Sequence, residues 1–106
     1  MQLLTKQIKK AAESQFPLGS EFKGQKVVAK FFNPVGSQTW YLMNKDPKDG
    51  YCWGIVKWYD LEAGSFNIDE LQNVKLQFGL GIERDTSFQP IDSLELWNKL
   101  KEGLHV

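Results

Sequence analysis

The stretch WYLMNKDPKDGYCWGIVKWY, residues 40–59, decides the fold. With Lys30-Phe31-Phe32 just ahead of it, it holds three of the four tryptophans and all three tyrosines. Its side chains alternate. Trp40 and Leu42 oppose Thr39, Tyr41 and Met43; further on, Cys52, Gly54, Val56 and Trp58 oppose Tyr51, Trp53, Ile55, Lys57 and Tyr59. A period of two means strands, and the intervening Asn44–Gly50, with Pro47 and Gly50 among charges, reads as an exposed turn. Gly54 within a strand marks a bulge or a close backbone approach. The row of rings on the other side reads as core beneath a second layer, with a ligand platform as the alternative.

Upstream, Lys26–Phe32 is rich in β-branched and aromatic residues. As one strand it would set Val27, Ala29 and Phe31 on one face and Val28, Lys30 and Phe32 on the other. Asn33-Pro34-Val35-Gly36-Ser37 is turn chemistry, so this strand and Thr39–Met43 form an antiparallel hairpin. Leu4, Ile8, Ala11 and Ala12 trace the apolar face of an N-terminal helix, capped by Thr5 and ended by Phe16-Pro17. Residues 17–25 read as a loop.

Downstream, Asp60–Gly64 reads as a turn, and Ser65-Phe66 either begins a strand or leads straight into a short helix capped by Asn67 with Glu70. Val74, Leu76 and Phe78 alternate as another strand would. Asp92 with Glu95 caps a C-terminal helix carrying Leu96, Trp97, Leu100 and Leu104, with Gly103 suited to its C′ position. The expected architecture is α+β. A single domain spans residues 1–106, with a mainly antiparallel sheet of about four to five strands, N- and C-terminal helices and a short internal helix.

At 106 residues the chain suffices for one core, and 42% hydrophobic, 25% charged and 13% aromatic composition is that of a folded domain. Cys52 is alone, so no intrachain disulfide or multi-cysteine metal site can form. No apolar run spans a bilayer and no secretory segment opens the chain; the expectation is a soluble cytoplasmic protein without a membrane partner. Formal charge is zero, but residues 1–30 carry six lysines against Glu13 and Glu21 and the remainder is acidic. That dipolar balance disfavours a uniformly basic nucleic-acid binder.

No phosphate-binding loop, dinucleotide fingerprint, zinc-protease motif or serine-nucleophile elbow is present, and the only histidine is His105. No catalytic residue, metal site or cofactor is expected. The sharpest polar feature is Glu83-Arg84-Asp85: either an anion clamp with carboxylates able to act as base or metal ligand, or an Arg paired with its neighbouring acids. Glu62 could add a third acid. Lys30 and Lys57, flanked by rings, either meet an anion or snorkel to water; with Tyr41 and Trp53 they resemble a stacking platform. Buried in its strand, the Cys52 thiol should be inert.

In order along the chain, Leu3-Leu4-Thr5-Lys6, Lys30-Phe31-Phe32-Asn33-Pro34, Thr39-Trp40-Tyr41, Trp53-Gly54-Ile55-Val56, Glu62-Ala63-Gly64-Ser65-Phe66 with Glu70-Leu71, and Ile82-Glu83-Arg84-Asp85 with Phe88 and Pro90 resemble the small bacterial family known as domain of unknown function 2958. The resemblance covers about residues 3–91. That pattern usually has an acid soon after its Trp-Tyr pair, where this chain has Met43-Asn44. The resemblance implies a small cytoplasmic protein encoded on plasmids, integrative elements or phages, and no established activity.

The expected function is that of a non-catalytic binding protein of such an element, acting by protein–protein contact with a host or element-encoded partner, counter-defence being one such role. Two alternatives stand beside it. One is a binder of a small anionic or nucleotide ligand, or of nucleic acid, through Lys30, Tyr41, Trp53, Lys57 and Arg84. The other is a carboxylate-dependent, metal-assisted hydrolase built on Glu62, Glu83 and Asp85.

Overall fold

A computed structural model describes residues 1–106. The elements are α1 (Lys6–Ser14), a 3-10 turn (Phe16–Leu18), β1 (Lys26–Val27), β2 (Ala29–Phe32), β3 (Thr39–Lys45), β4 (Tyr51–Lys57), β5 (Leu61–Asn67), α2 (Ile68–Gln72), a second 3-10 turn (Gln77–Gly79), β6 (Glu83–Arg84), β7 (Ile91–Asp92) and α3 (Ser93–Lys101). The main sheet is antiparallel in the order β5-β4-β3-β2-β6, and β1 pairs with β7 in a separate short ribbon. The chain is thus a single α+β domain with helices on both faces of a five-stranded sheet.

Each face carries its own core. On one, α1 and α2 bring Ile8, Ala12, Ile68 and Leu71 against Ala29, Phe31, Leu42 and Cys52. On the other, Leu96 and Leu100 of α3 cover Tyr41, Met43 and Ile55. The caps act as their residue types require: Thr5 Oγ1 accepts from Ile8 N–H, Asn67 Oδ1 from Asp69 and Glu70, and Asp92 Oδ2 from Glu95. Gly103, at φ 80°, follows α3 as a C′ glycine.

Four expectations are corrected. The Lys26–Phe32 strand is broken at Val28, whose N–H donates to Leu42 O at 2.8 Å. Val27 therefore joins the α3-side core, whereas Ala29, Phe31 and Val28 join the α1 side. β3 continues through Asn44 and Lys45, where the sequence pattern predicts turn. β5 begins at Leu61 rather than after Gly64, because pairing with β4 along its whole length outweighs the weak strand preference of Ala63-Gly64-Ser65. Val74–Phe78 is not a strand: a 3-10 turn sits there, with Phe78 at φ 61° and 90% exposed.

The bulge expected near Gly54 lies across from it. Leu42 pairs with Gly54 but Asn44 with Trp53, so β3 carries one extra residue between them. A Cβ on Gly54 would collide with the Tyr41 carbonyl oxygen, which explains the glycine. Beyond the bulge Lys45 stands opposite Cys52 on the α1 side, and its Nζ lies 3.3 Å from Glu13 Oε2. Asn44 is buried; its Nδ2 donates to Gln25 Oε1 at 2.8 Å and to Gly19 O at 2.9 Å. Gln25, also buried, returns Nε2 to Gly19 O at 3.0 Å and to Glu21 O, so residues 17–25 form a pinned segment.

Candidate functional site

Strand pairing assembles the site. Lys30 lies opposite Tyr41, and Phe31 and Phe32 pair with Arg84 and Glu83. Asp85 N–H then donates to Lys30 O at 2.9 Å, which sets the Asp85 carboxylate beside the lysine. Lys30 Nζ is 3.9 Å from Asp85 Oδ2 and 5.9 Å from the centre of the Tyr41 ring. It donates to the main-chain oxygen of Val106 at 2.7 Å, and Tyr41 Oη donates to the same oxygen at 3.1 Å. A cation and a phenol thus converge on one oxygen, and the charge on the donor strengthens the hold.

Tyr41 is 2% exposed, with Phe88 tilted against it at 6.2 Å between ring centres. Burial pushes its phenol up to about 12, and the Asp85 charge pushes in the same direction. Tyr41 therefore acts as a neutral donor. Asp85 Oδ1 accepts from Ser87 N–H at 2.9 Å, which fixes the loop after β6.

Beside Lys30 opens a cleft of about 560 Å³, lined also by Phe32, Thr39, Glu83, Arg84 and Asp85 among others; Tyr41 does not border it. Its four charged side chains balance, two of each sign. Arg84 is neither clamp nor partner of its neighbouring acids. Its Nη1 donates to Gln2 O at 2.5 Å and Leu3 O at 3.1 Å, so the guanidinium holds the first residues of the chain against the sheet edge.

The other sequence candidates stand apart. Trp53 is half-buried in the α3-side core and lines a different cleft, of about 670 Å³, with Phe16, Asn44 and Tyr51. Its indole Nε1 has no hydrogen-bond partner. Lys57 closes β4, opposite Thr39 and Leu61. Glu62 is exposed on β5, with three strands between it and β6, roughly 19 Å away at the usual strand spacing. Glu62 therefore does not join Glu83 and Asp85, and no group of three or more His, Cys, Asp or Glu side chains is placed to hold a metal ion.

The Cys52 thiol is buried, and burial pushes it up to about 12; the Lys45 charge and an Ile68 backbone hydrogen bond pull the other way, and the Asp69 and Asp49 charges add to the rise. Sequence reasoning missed the Val106 oxygen, which lies 76 positions from Lys30. It also missed the buried Gln25–Asn44 pair. No helix is long and apolar enough to cross a membrane.

No curated protein and no solved structure matches the chain. The residues gathered here, Lys30, Thr39, Glu83, Arg84 and Asp85, are among those that carry the family resemblance. The family model described as protein of unknown function (DUF2958) matches residues 2–103, nearly the whole domain, and the chain belongs to that family.

Proposed function

We propose that this chain is a non-catalytic binding protein that acts by protein–protein contact, recognising a main-chain oxygen of an extended polypeptide segment at the Lys30–Tyr41 site. One observation carries the reading: Lys30 Nζ and Tyr41 Oη converge on one oxygen of this chain's own backbone, that of Val106, the last residue of the sequence. The largely polar cleft that Lys30 borders supports it, because it offers room and further hydrogen-bonding groups beside the charged donor. The setting that the resemblance implies, an accessory of a plasmid, integrative element or phage serving a role such as counter-defence, belongs to the same proposal.

The experiment is capture from host lysate followed by titration of the purified partner with wild type and Lys30→Met. Methionine keeps the packing of the half-buried stem and removes the charged donor. The expected loss is about tenfold or more in affinity, the scale of a charge-assisted hydrogen bond. Equal affinities for the two proteins would overturn the reading. Trp53→Ala is a poor probe because that ring packs against the α3-side core.

A second reading, a small anionic or nucleotide ligand on the same donors, is favoured by the chemistry of the occupant, an oxygen held by a cation and a phenol. Saturable quenching of tryptophan fluorescence by phosphate or a nucleotide panel would support it, and a flat response would sink it. The carboxylate-dependent reading lacks an assembled acid set, since Glu62 lies on the far edge.

A further inference from the structure

β5 borders β4 on one side and has no neighbour on the other. Two hydrogen bonds give the direction of its free groups. Ile68 N–H donates to Gly50 O at 2.9 Å and Trp58 N–H to Asp60 O at 3.0 Å, so the pairs bracketing β5 are of the hydrogen-bonded kind. Bonded and non-bonded pairs alternate along an antiparallel ladder, and here the register is unbroken from Tyr51 opposite Asn67 to Lys57 opposite Leu61. Glu62, Gly64 and Phe66 therefore turn their main-chain groups toward β4. Leu61, Ala63 and Ser65 turn theirs outward, and none of these has a main-chain partner outside the ladder.

Natural edge strands are blunted by proline, lysine, bulges, shortness or a covering element. β5 is seven residues long, has neither proline nor lysine, and pairs with β4 without a bulge. We propose that two copies of this chain associate through antiparallel β5–β5 pairing about a twofold axis at Gly64, joining their sheets into one. Ala63 then meets the partner's Ser65, and Gly64 meets the partner's Gly64. About six main-chain hydrogen bonds cross the axis.

The strand's own chemistry selects a second copy as occupant. Its single charge, Glu62, falls opposite the partner's Phe66, so no like charges meet, as an isologous interface requires. At the axis a non-hydrogen-bonded pair brings Cα atoms to about 4.5 Å, and glycine leaves that approach clear. Zero formal net charge removes long-range repulsion. Exposed rings stand at both ends of the strand, Trp58 and Tyr59 stacked at 4.7 Å at one and Tyr51 at the other, so a twofold seam is bordered by aromatic surface. This association lies on the edge opposite β6 and does not depend on the Lys30–Tyr41 site.

The experiment is sedimentation equilibrium of the full chain from micromolar to hundreds of micromolar. Wild type should reach twice the chain mass. Gly64→Glu and Gly64→Lys should each weaken the dimer by about tenfold or more, and mixing the two should restore it. A side chain at Gly64 meets no atom within 4 Å in the single chain, so at concentrations where wild type is monomeric both variants should keep its melting temperature. Gly64→Cys should cross-link to its partner on mild oxidation while buried Cys52 stays reduced. A monomer throughout with no Gly64→Cys cross-link, or a dimer indifferent to charge at position 64, would overturn the proposal.

Discussion

Removing the Asn44 amide should cost far more than an exposed asparagine would. Asn44 is 1% exposed and Gln25 fully buried, and Asn44 Nδ2 supplies the only hydrogen bond to Gln25 Oε1, at 2.8 Å, as well as one to Gly19 O at 2.9 Å. In Asn44→Ala the Gln25 oxygen is stranded, a loss of about 1–3 kcal/mol, and the second bond adds about 1 kcal/mol. The total is about 3 kcal/mol, on the order of 15 °C in Tm for a domain of this size.

Gln25→Ala should cost a similar amount, because it strands an Asn44 N–H and removes the donor to Glu21 O. With both residues replaced, neither partner is left unpaired, so the double variant should fall short of the sum by about 1–2 kcal/mol. Urea unfolding followed by tryptophan fluorescence measures all four corners of the cycle, with equal m-values required. A cost below about 1 kcal/mol for Asn44→Ala, or strict additivity, would refute the claim that this amide pair pins residues 17–25.

Three further outcomes follow from particular atoms. With its thiol pushed up to about 12, Cys52 should react with a disulfide reagent at pH 8 about a thousandfold more slowly than an unfolded control, and native-state labelling at the control rate would show the strand to be open. Tyr41 holds its proton to about 12 in the fold against about 10 unfolded, so its contribution is intact below pH 10 and is lost as pH rises to 12. In a Cys52→Ala background, Tyr41→Phe should flatten the fall in stability over that window by about 2–3 kcal/mol, and parallel pH profiles would contradict the assignment. Gly54→Ala places a methyl group on the Tyr41 carbonyl oxygen, so a cooperative thermal transition within a few degrees of wild type would show that β3 and β4 can slide apart there.

What the sequence revealed was local. Thr5, Asn67 and Asp92 announce helix starts because their side chains bond main-chain groups two or three positions away, and the sides of β3 and β4 follow from a period of two until the bulge resets it. The first half of β5 reads as turn because Ala63-Gly64-Ser65 is turn-like in isolation and becomes a strand only beside β4, whereas a strand from Ser65-Phe66 is one of two readings of the sequence there. Val74, Leu76 and Phe78 alternate convincingly, yet Phe78 points to solvent while Val74 and Leu76 pack under the sheet. The site was half legible. Lys30, Glu83, Arg84 and Asp85 do gather, but the role of Arg84 depends on Gln2 and Leu3, and that of Lys30 on Val106, contacts that no window of sequence contains.

Those same two contacts bear on the order in which the domain comes apart. β6 is two residues long and is held by β2, by Arg84 on Gln2 and Leu3, and by Asp85 beside the lysine that grips Val106. Contacts that close nearly the whole chain carry the largest loop entropy and form late in folding, whereas the β3–β4–β5 meander can form from neighbours alone. The β2–β6 edge is accordingly a unit of low opening free energy, and its amides should exchange with solvent well before those of β4. When this edge opens, Asp85 leaves the lysine, so a local excursion can loosen Lys30 without passing through the unfolded state.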